Sequence, residues 1–347
     1  GGGEYFIISR SFGLNIGATI GLALYFSQAI SVAFYVIAFT EAFAPFFDYV
    51  RDTHNINLPR QVISLPAMGL LTLMILKRGA SMGVRTLYIV VIILLFSLAA
   101  FFYGKTGYTP ERSIMAVGEG DYDFTNFFIV FAIVFPAFTG MTAGVGLSGD
   151  LRDPRKSIPL GTLGATFAGM AIYTLVAYKL ALSAPPEALA GDQLIMSKIA
   201  LWGPIIPIGL GCATLSSALG SILVAPRTLQ ALAGDEILPA DRINRFLAAG
   251  RGSANEPFNA TMVTAAIVIT FVSLGSVDFV AQIISMFFMV TYGSICLISF
   301  LEHFAADPSY RPAFRSRWFL SAFGAAACLW LLFKMSTVYA IVSMMVM

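Results

Sequence analysis

Residues 127–150 read FFIVFAIVFPAFTGMTAGVGLSGD, an apolar segment that contains one proline and four glycines. Pro136 has no backbone N–H and disrupts a helix one turn back, and the glycines weaken helix propensity over the following turns. The Pro136–Gly144 stretch therefore predicts a broken helix. Its first half would offer carbonyl oxygens to a cation, and its second half would offer amide N–H groups to an anion. A structural kink with glycines for close packing is the alternative, and the Thr139 hydroxyl at the break favours the ion site.

The composition places this segment in lipid. Of the 347 residues, 58% are hydrophobic and 12% are charged, whereas a soluble domain carries about 25% charged residues. Only helices and closed barrels satisfy their backbone groups in hydrocarbon, and the alternation typical of barrel strands is not present in the sequence. We therefore expect an all-α polytopic membrane protein. Non-helical backbone is then tolerated only where protein or a water-filled cavity covers it.

Ten apolar segments can be marked along the chain, and we expect them to form a single transmembrane domain over residues 1–347 with no soluble domain. The segments cover residues 14–47, 61–76, 84–103, 124–150, 157–183, 203–226, 258–274, 278–304, 318–333 and 336–347. The first segment is too long for one straight crossing and is expected to turn near Pro45. Basic residues cluster in every second connection, which the positive-inside rule assigns to the cytoplasm.

Hydroxyl groups supply the other candidate ligands. Ser216 and Ser217 follow Ala213 in an apolar segment, and hydroxyl oxygens are hard, neutral ligands that suit an alkali cation. The same small residues could also serve helix packing, and composition alone favours packing. Tyr35 and Tyr292 lie at mid-depth in their segments, where a hydroxyl needs a hydrogen-bond partner or an ion.

Several classes of function are not indicated by the sequence. No carboxylate lies centrally in 61–103 or 157–226, so a proton-relay pump is not expected. No P-loop, HExxH or GxSxG pattern is present, so we do not expect an enzyme. The basic residues are spread between apolar segments, and nucleic acid is not an expected partner. Glu41 lies late in the first segment, where an uncompensated charge would be costly.

Three long motifs make the chain resemble the cation–chloride cotransporter family of the amino acid–polyamine–organocation superfamily. They are GGGEYFIISRSFG at the start, FAIVFPAFTGMTAGVGLSGDLRDPRKSIPLGTL in the middle and ATLSSALGSILVAPRTLQALAGDEILP further on. The resemblance implies twelve spans with an inverted repeat of five, in which spans one and six are broken. By this alignment the chain is truncated at both ends: it starts near the end of span two, lacks span one and stops inside span twelve.

The resemblance also implies three ion sites. Potassium would be bound by Tyr35, Pro136 (through its carbonyl) and Thr139. Chloride would be bound by backbone amides of Gly140, Met141 and Thr142 and by the Tyr292 hydroxyl, and sodium by Ala213 (through its carbonyl), Ser216 and Ser217. Sodium-dependent members of the family keep the serine pair, and members that do not move potassium lack the tyrosine that matches Tyr35.

Because the serine pair and Tyr35 are both present, the resemblance implies electroneutral symport of chloride with sodium and potassium across the cell membrane. That membrane would be a plasma membrane or a bacterial inner membrane. No cofactor is expected beyond the transported ions. The expected partners are inorganic ions and the lipid bilayer, and a homodimer is left open. Two alternatives remain at this point. One is an amino-acid or polyamine transporter of the same superfamily, against which Ser216, Ser217 and Tyr35 argue. The other is a non-transporting remnant without span one.

Overall fold

The computed structural model describes residues 3–78, 83–109, 124–141, 153–252, 255–305 and 317–346. Those residues form fifteen α-helices and one 3-10 helix. In chain order the helices are α1 (Gly3–Phe12), α2 (Leu14–Glu41), α3 (Ala44–His54), α4 (Gln61–Arg78), α5 (Gly83–Tyr103), α6 (Phe124–Val134), the 3-10 helix (Phe135–Phe138), α7 (Pro154–Ser183), α8 (Pro186–Gly191), α9 (Ile195–Ile199), α10 (Ile205–Gly234), α11 (Asp241–Ala248), α12 (Phe258–Leu274), α13 (Val277–Ala305), α14 (Trp318–Met335) and α15 (Thr337–Val346).

Five helices of the described ranges are long and apolar enough to cross a membrane, by length and composition: Leu14–Glu41, Lys156–Ser183, Ile205–Gly234, Val277–Phe304 and Trp318–Met335. Shorter apolar helices cover Gln61–Leu76, Tyr88–Tyr103, Phe127–Phe138 and Phe258–Leu274. These nine helices coincide with nine of the ten predicted segments, and α15 falls in the tenth. The prediction of an all-α polytopic membrane protein is confirmed.

The first segment divides where the sequence predicted a turn. Helix α2 ends at Glu41, and α3 begins at Ala44 with Pro45 in its first turn, where the missing N–H of proline costs no helical hydrogen bond. Glu41 forms an ion pair with Arg60, and Arg60 also lies 3.4 Å from the Gln193 side-chain oxygen. The ion pair compensates the charge that the sequence left without a partner.

One predicted boundary was wrong. The segment 203–226 was expected to end before a cytoplasmic connection at residue 227, but α10 continues to Gly234. The last two turns stay helical because Leu229, Leu232 and Ala233 are buried against α1 and α2. Burial of these side chains outweighs the interruption that Pro226 introduces into the helix.

Helix α2 is the centre of the bundle. It packs against α1, α4, α10, α12 and α13, and most of its length is buried. Its contact with α1 is so close that side chains would not fit at two glycines. A Cβ added to Gly17 would lie 2.7 Å from the Ser9 Cα, and one added to Gly21 would lie 2.5 Å from the Tyr5 ring. Glycines four residues apart let helix backbones approach in this way. The close packing fixes α1 beside the helix that carries Tyr35.

Candidate ion-binding site

The predicted helix break is present in the structure. Helix α6 ends at Val134, and the 3-10 helix Phe135–Phe138 carries Pro136 in its first turn. Thr139 is then fully extended, with φ −93° and ψ 177°. Gly140 has φ +109°, a conformation that only glycine adopts readily. No described residue lies within 4 Å of a Cβ added at this position, so the backbone angle is the reason for a glycine that the structure shows.

Other helices supply partners for the carbonyls that the break exposes. Pro136 cannot donate to the carbonyl four residues earlier, that of Ala132. Ser285 of α13 donates to this oxygen at 2.6 Å, and its hydroxyl also lies 2.8 Å from the carbonyl of Ala281 in its own helix. Tyr173 of α7 donates to the Ala137 carbonyl at 3.1 Å. The break is therefore held by hydroxyl groups from two neighbouring helices, as buried backbone groups require.

The three residues predicted to bind potassium lie together. The Thr139 hydroxyl donates to the Pro136 carbonyl at 2.7 Å, so these two oxygens are adjacent. The Tyr35 hydroxyl of α2 approaches the Thr139 side chain without completing a hydrogen bond with it. One carbonyl and two hydroxyl oxygens thus meet at the end of the first half of the broken helix. Neutral oxygen ligands of this kind suit an alkali cation.

The residues predicted to bind chloride are described in part. Tyr292 of α13 has a buried hydroxyl without a hydrogen-bond partner among the described residues. The backbone amide of Gly140 faces this hydroxyl without completing a hydrogen bond with it. Met141 follows and is exposed, while Thr142 lies outside the described residues. A backbone N–H and a phenolic O–H are both donors, and together they suit an anion.

Aromatic rings give Tyr292 its position. Its ring packs edge-on against Phe135 of the 3-10 helix, with centroids 6.3 Å apart. It also packs, in a tilted arrangement, against Phe288 one turn earlier in α13, with centroids 5.5 Å apart. Both contacts belong to the large core that also includes Tyr35 and Ala218. The cation oxygens and the anion donors therefore lie at the edge of the same apolar core, where low polarity strengthens electrostatic interactions.

The predicted sodium ligands lie on α10. Ala213, Ser216 and Ser217 fall on about one turn of this helix, and neither serine hydroxyl makes a hydrogen bond within the described part of the chain. Thr214 on the same turn differs, because its hydroxyl donates to the carbonyl of Leu210 at 2.8 Å. Ser217 is exposed, and the next residue, Ala218, is buried in the core beside Tyr35. The structure leaves both serine oxygens available to a ligand.

An open cavity of about 450 Å³ separates the break from α7. The break forms one wall, and small residues of α7 form the other. The lining consists of Ala137, Phe138, Thr139, Gly140, Met141, Gly161, Thr162, Ala165, Thr166, Gly169 and Tyr173. Thr139 and Gly140 therefore border space large enough for hydrated ions.

Neither Ser285 nor Tyr173 was predicted as part of the site. The sequence does indicate that Pro136 leaves a backbone carbonyl without its helical donor. It does not indicate which helix supplies the replacement donor.

Comparison with known proteins agrees with this architecture. The profile described as amino acid permease matches residues 1–347. Solute carrier family 12 member 1 from Mus musculus is 32% identical over 94% of this chain and 34% of its own length. Solute carrier family 12 member 2 is 31% identical in Mus musculus, over 94% of this chain and 31% of the relative. In Squalus acanthias it is 32% identical, over 96% and 32%.

The chain spans about a third of the length of these relatives. The matches confirm the resemblance to the cation–chloride cotransporter family. They are also consistent with the apolar helices described above. The chain is a multi-pass membrane protein that belongs to the amino acid permease family.

Proposed function

We propose that the chain forms the ion-binding part of a secondary transporter of the cell membrane that carries chloride together with sodium and potassium, with no net movement of charge. The observation that carries the proposal is the juxtaposition at the break. Oxygens of Tyr35, Pro136 and Thr139 converge on one side, and the donors of Gly140 and Tyr292 face each other on the other. The relatives are named as solute carriers, which is consistent with this function.

The two halves of the site support one another electrostatically. Thr139 and Gly140 are consecutive residues, so a cation and an anion bound there would be close neighbours. Each ion would offset part of the charge of the other in an environment of low polarity. A second cation at Ser216 and Ser217 would interact with the first through the core that contains Ala218 and Tyr35. Binding of chloride should therefore raise the affinity for each cation, and binding of each cation should raise the affinity for chloride.

Transport would follow from alternating access. In transporters with inverted repeats, one bundle of helices rocks against the other around a site near the middle of the membrane. Bound ions favour the states in which the site is closed, because they interact with both bundles there. Here Tyr35 lies on α2, Tyr292 on α13 and the serines on α10, so three helices besides the broken one would contact the bound ions.

The proposal is tested by ion flux. The protein is expressed from its complete coding region and reconstituted in liposomes, and uptake of rubidium-86, chloride-36 and sodium-22 is measured with each ion omitted in turn. Uptake of each ion should require the other two and should not change the membrane potential. Uptake of amino acids or polyamines, independent of chloride, would instead support the alternative transporter class. No uptake of either kind would support a non-transporting remnant.

Two variants test which residues bind each cation. Tyr35→Phe should raise the half-saturating rubidium concentration by roughly tenfold, because one lost ligand contact of about 1.4 kcal/mol corresponds to that factor. Tyr25→Phe is the matched control, since this buried tyrosine of α2 contacts Thr264 at 3.3 Å instead of the break. Ser217→Ala should weaken the sodium dependence, with Ser221→Ala one turn later in α10 as its control. Unchanged rubidium and sodium curves would remove these residues from the site.

A further inference from the structure

Glu4 of α1 is a carboxylate that forms no ion pair with any other residue that the structure describes. Its Oε2 atom is buried and has no hydrogen-bond partner among those residues. The basic residue of its own helix, Arg10, pairs with Asp235 at 3.4 Å, and the neighbouring Tyr5 donates to the same aspartate at 2.7 Å.

Titratable groups on the adjoining helices do not compensate Glu4 either. Helices α2 and α10 pack against α1. The titratable side chains of these two helices are Tyr25, Tyr35, Glu41, Cys212 and Arg227. Tyr25 is bonded to Thr264, Glu41 is paired with Arg60, and none of the five acts on the Glu4 carboxylate.

Glu4 instead interacts electrostatically with one group on the anion side of the break. Its carboxylate interacts electrostatically with the buried Tyr292 hydroxyl of α13, the group that the Gly140 amide also faces. The Tyr35 hydroxyl and the Cys328 thiol of α14 act on the same phenol. Two buried polar groups without partners among the described residues, Glu4 Oε2 and the proposed chloride donor Tyr292 Oη, are therefore close enough to interact electrostatically.

The charge of Glu4 opposes a bound anion. An ionised carboxylate without a partner is unfavourable in a protein interior, and a neighbouring chloride adds like-charge repulsion. Protonation removes both penalties and converts the carboxylate into an O–H donor that an anion can accept from. Because binding equilibria are reciprocal, a proton on Glu4 and a chloride at Tyr292 must then favour each other.

We propose that Glu4 is a proton-binding site coupled to the chloride site, so that the ionised carboxylate takes up one proton from solution when chloride binds beside Tyr292. The carboxylate and the proton become a neutral carboxylic acid, so the net charge of the site does not change when one proton and one chloride bind. The inference rests on the proposed chloride site at Gly140, Met141 and Tyr292. Proton binding was not expected from the sequence, because no carboxylate lies centrally in the segments 61–103 or 157–226.

The test measures chloride affinity as a function of pH. Chloride-36 uptake into liposomes is measured between pH 5.5 and 8.5 with sodium and potassium saturating. The half-saturating chloride concentration of the wild type should rise with pH, by up to tenfold per unit in the range where Glu4 ionises. Glu4→Gln mimics the protonated acid, so its chloride affinity should be independent of pH. Glu302→Gln on α13, which removes a carboxylate elsewhere in the chain, should retain the wild-type profile.

A second measurement detects the proton itself. Chloride added to weakly buffered, purified protein should raise the pH of the medium in the wild type and in Glu4→Asp, but not in Glu4→Gln. The Glu4→Asp variant keeps the test available if the glutamine variant does not fold. A chloride affinity independent of pH in the wild type would overturn the inference, and so would a retained slope in Glu4→Gln. Loss of sodium or potassium affinity in Glu4→Gln, without proton uptake in the wild type, would show that a cation neutralises Glu4 instead.

The two proposals fail in different ways. If no chloride-dependent flux is seen at any pH, the proposed function is wrong. If chloride-dependent flux is seen but neither its affinity nor the pH of the medium changes as described, only the role of Glu4 is wrong.

Discussion

Replacement of Ser285 by alanine tests how the broken helix is held. The Ser285 hydroxyl donates to the Ala132 carbonyl at 2.6 Å, and the residue is fully buried. Because Pro136 has no N–H, Ser285→Ala leaves this carbonyl without its donor. A buried acceptor without a partner costs about 1–3 kcal/mol. Side-chain hydrogen bonds between membrane helices average about 0.6 and reach about 1.7 kcal/mol. The short distance and full burial favour the upper part of that range, and we expect a loss of about 1.5 kcal/mol.

The assay is reversible unfolding of the purified protein in mixed micelles, followed by its helical circular dichroism. Ser31→Ala is the matched control, since this buried serine donates at 2.6 Å to the Ser27 carbonyl within α2. The Ser27 carbonyl keeps its helical amide partner when the hydroxyl is removed, so the control should cost less than about 0.5 kcal/mol.

A double-mutant cycle makes the prediction specific. Pro136→Ala restores an N–H that can reach the Ala132 carbonyl, so Ser285→Ala should cost about 1 kcal/mol less in that background. The reasoning is refuted if Ser285→Ala costs no more than Ser31→Ala. It is also refuted if the cost of Ser285→Ala is the same with proline and with alanine at position 136.

Two further predictions concern helix packing and pH. Gly17→Ala should destabilise the protein by about 1–3 kcal/mol because its Cβ would meet the Ser9 backbone. Gly220→Ala, where no described residue outside the local helix backbone lies within 4 Å of the added Cβ, should be neutral or slightly stabilising in the same unfolding assay. The Lys198 ammonium, 2.7 Å from Asp192, holds the pKa of that carboxyl below its usual range. Its stabilisation is therefore present above about pH 4 and is lost as the pH falls through the lowered pKa. Hydrogen exchange over Ile195–Ile199 should show this loss, and an identical pH profile in Lys198→Met would contradict it.

The sequence predicted the helices and the position of the break well, because both follow from local properties. Long uncharged runs predict spans, and Pro136 followed by Gly140 predicts an interruption wherever the segment lies. The end of α10 was predicted wrongly because Leu229 and Leu232 are buried by α1 and α2, and such contacts depend on which helices become neighbours. Local composition cannot supply that information.

The same distinction applies to the site. Tyr35 and Thr139 were predicted as partners from the family resemblance, and the structure brings their side chains together. The role of Ser285 was not predicted, because 149 positions separate it from Pro136 and only the packed bundle shows their relation. Glu4 was not singled out as a candidate for a similar reason: its proximity to Tyr292 becomes visible only when α1 and α13 are placed around the break.

The two attachments of α13 to the broken helix have a mechanical consequence. Ser285 donates to the carbonyl of Ala132, and the Tyr292 ring packs edge-on against Phe135 of the 3-10 helix. These two side chains are seven residues apart, two turns on the same face of α13 and about 10 Å along its axis. A single attachment is a pivot, whereas two attachments at that spacing also fix the tilt. Rotation of the break about Ala132 would separate Phe135 from Tyr292, so α13 and the break tilt together.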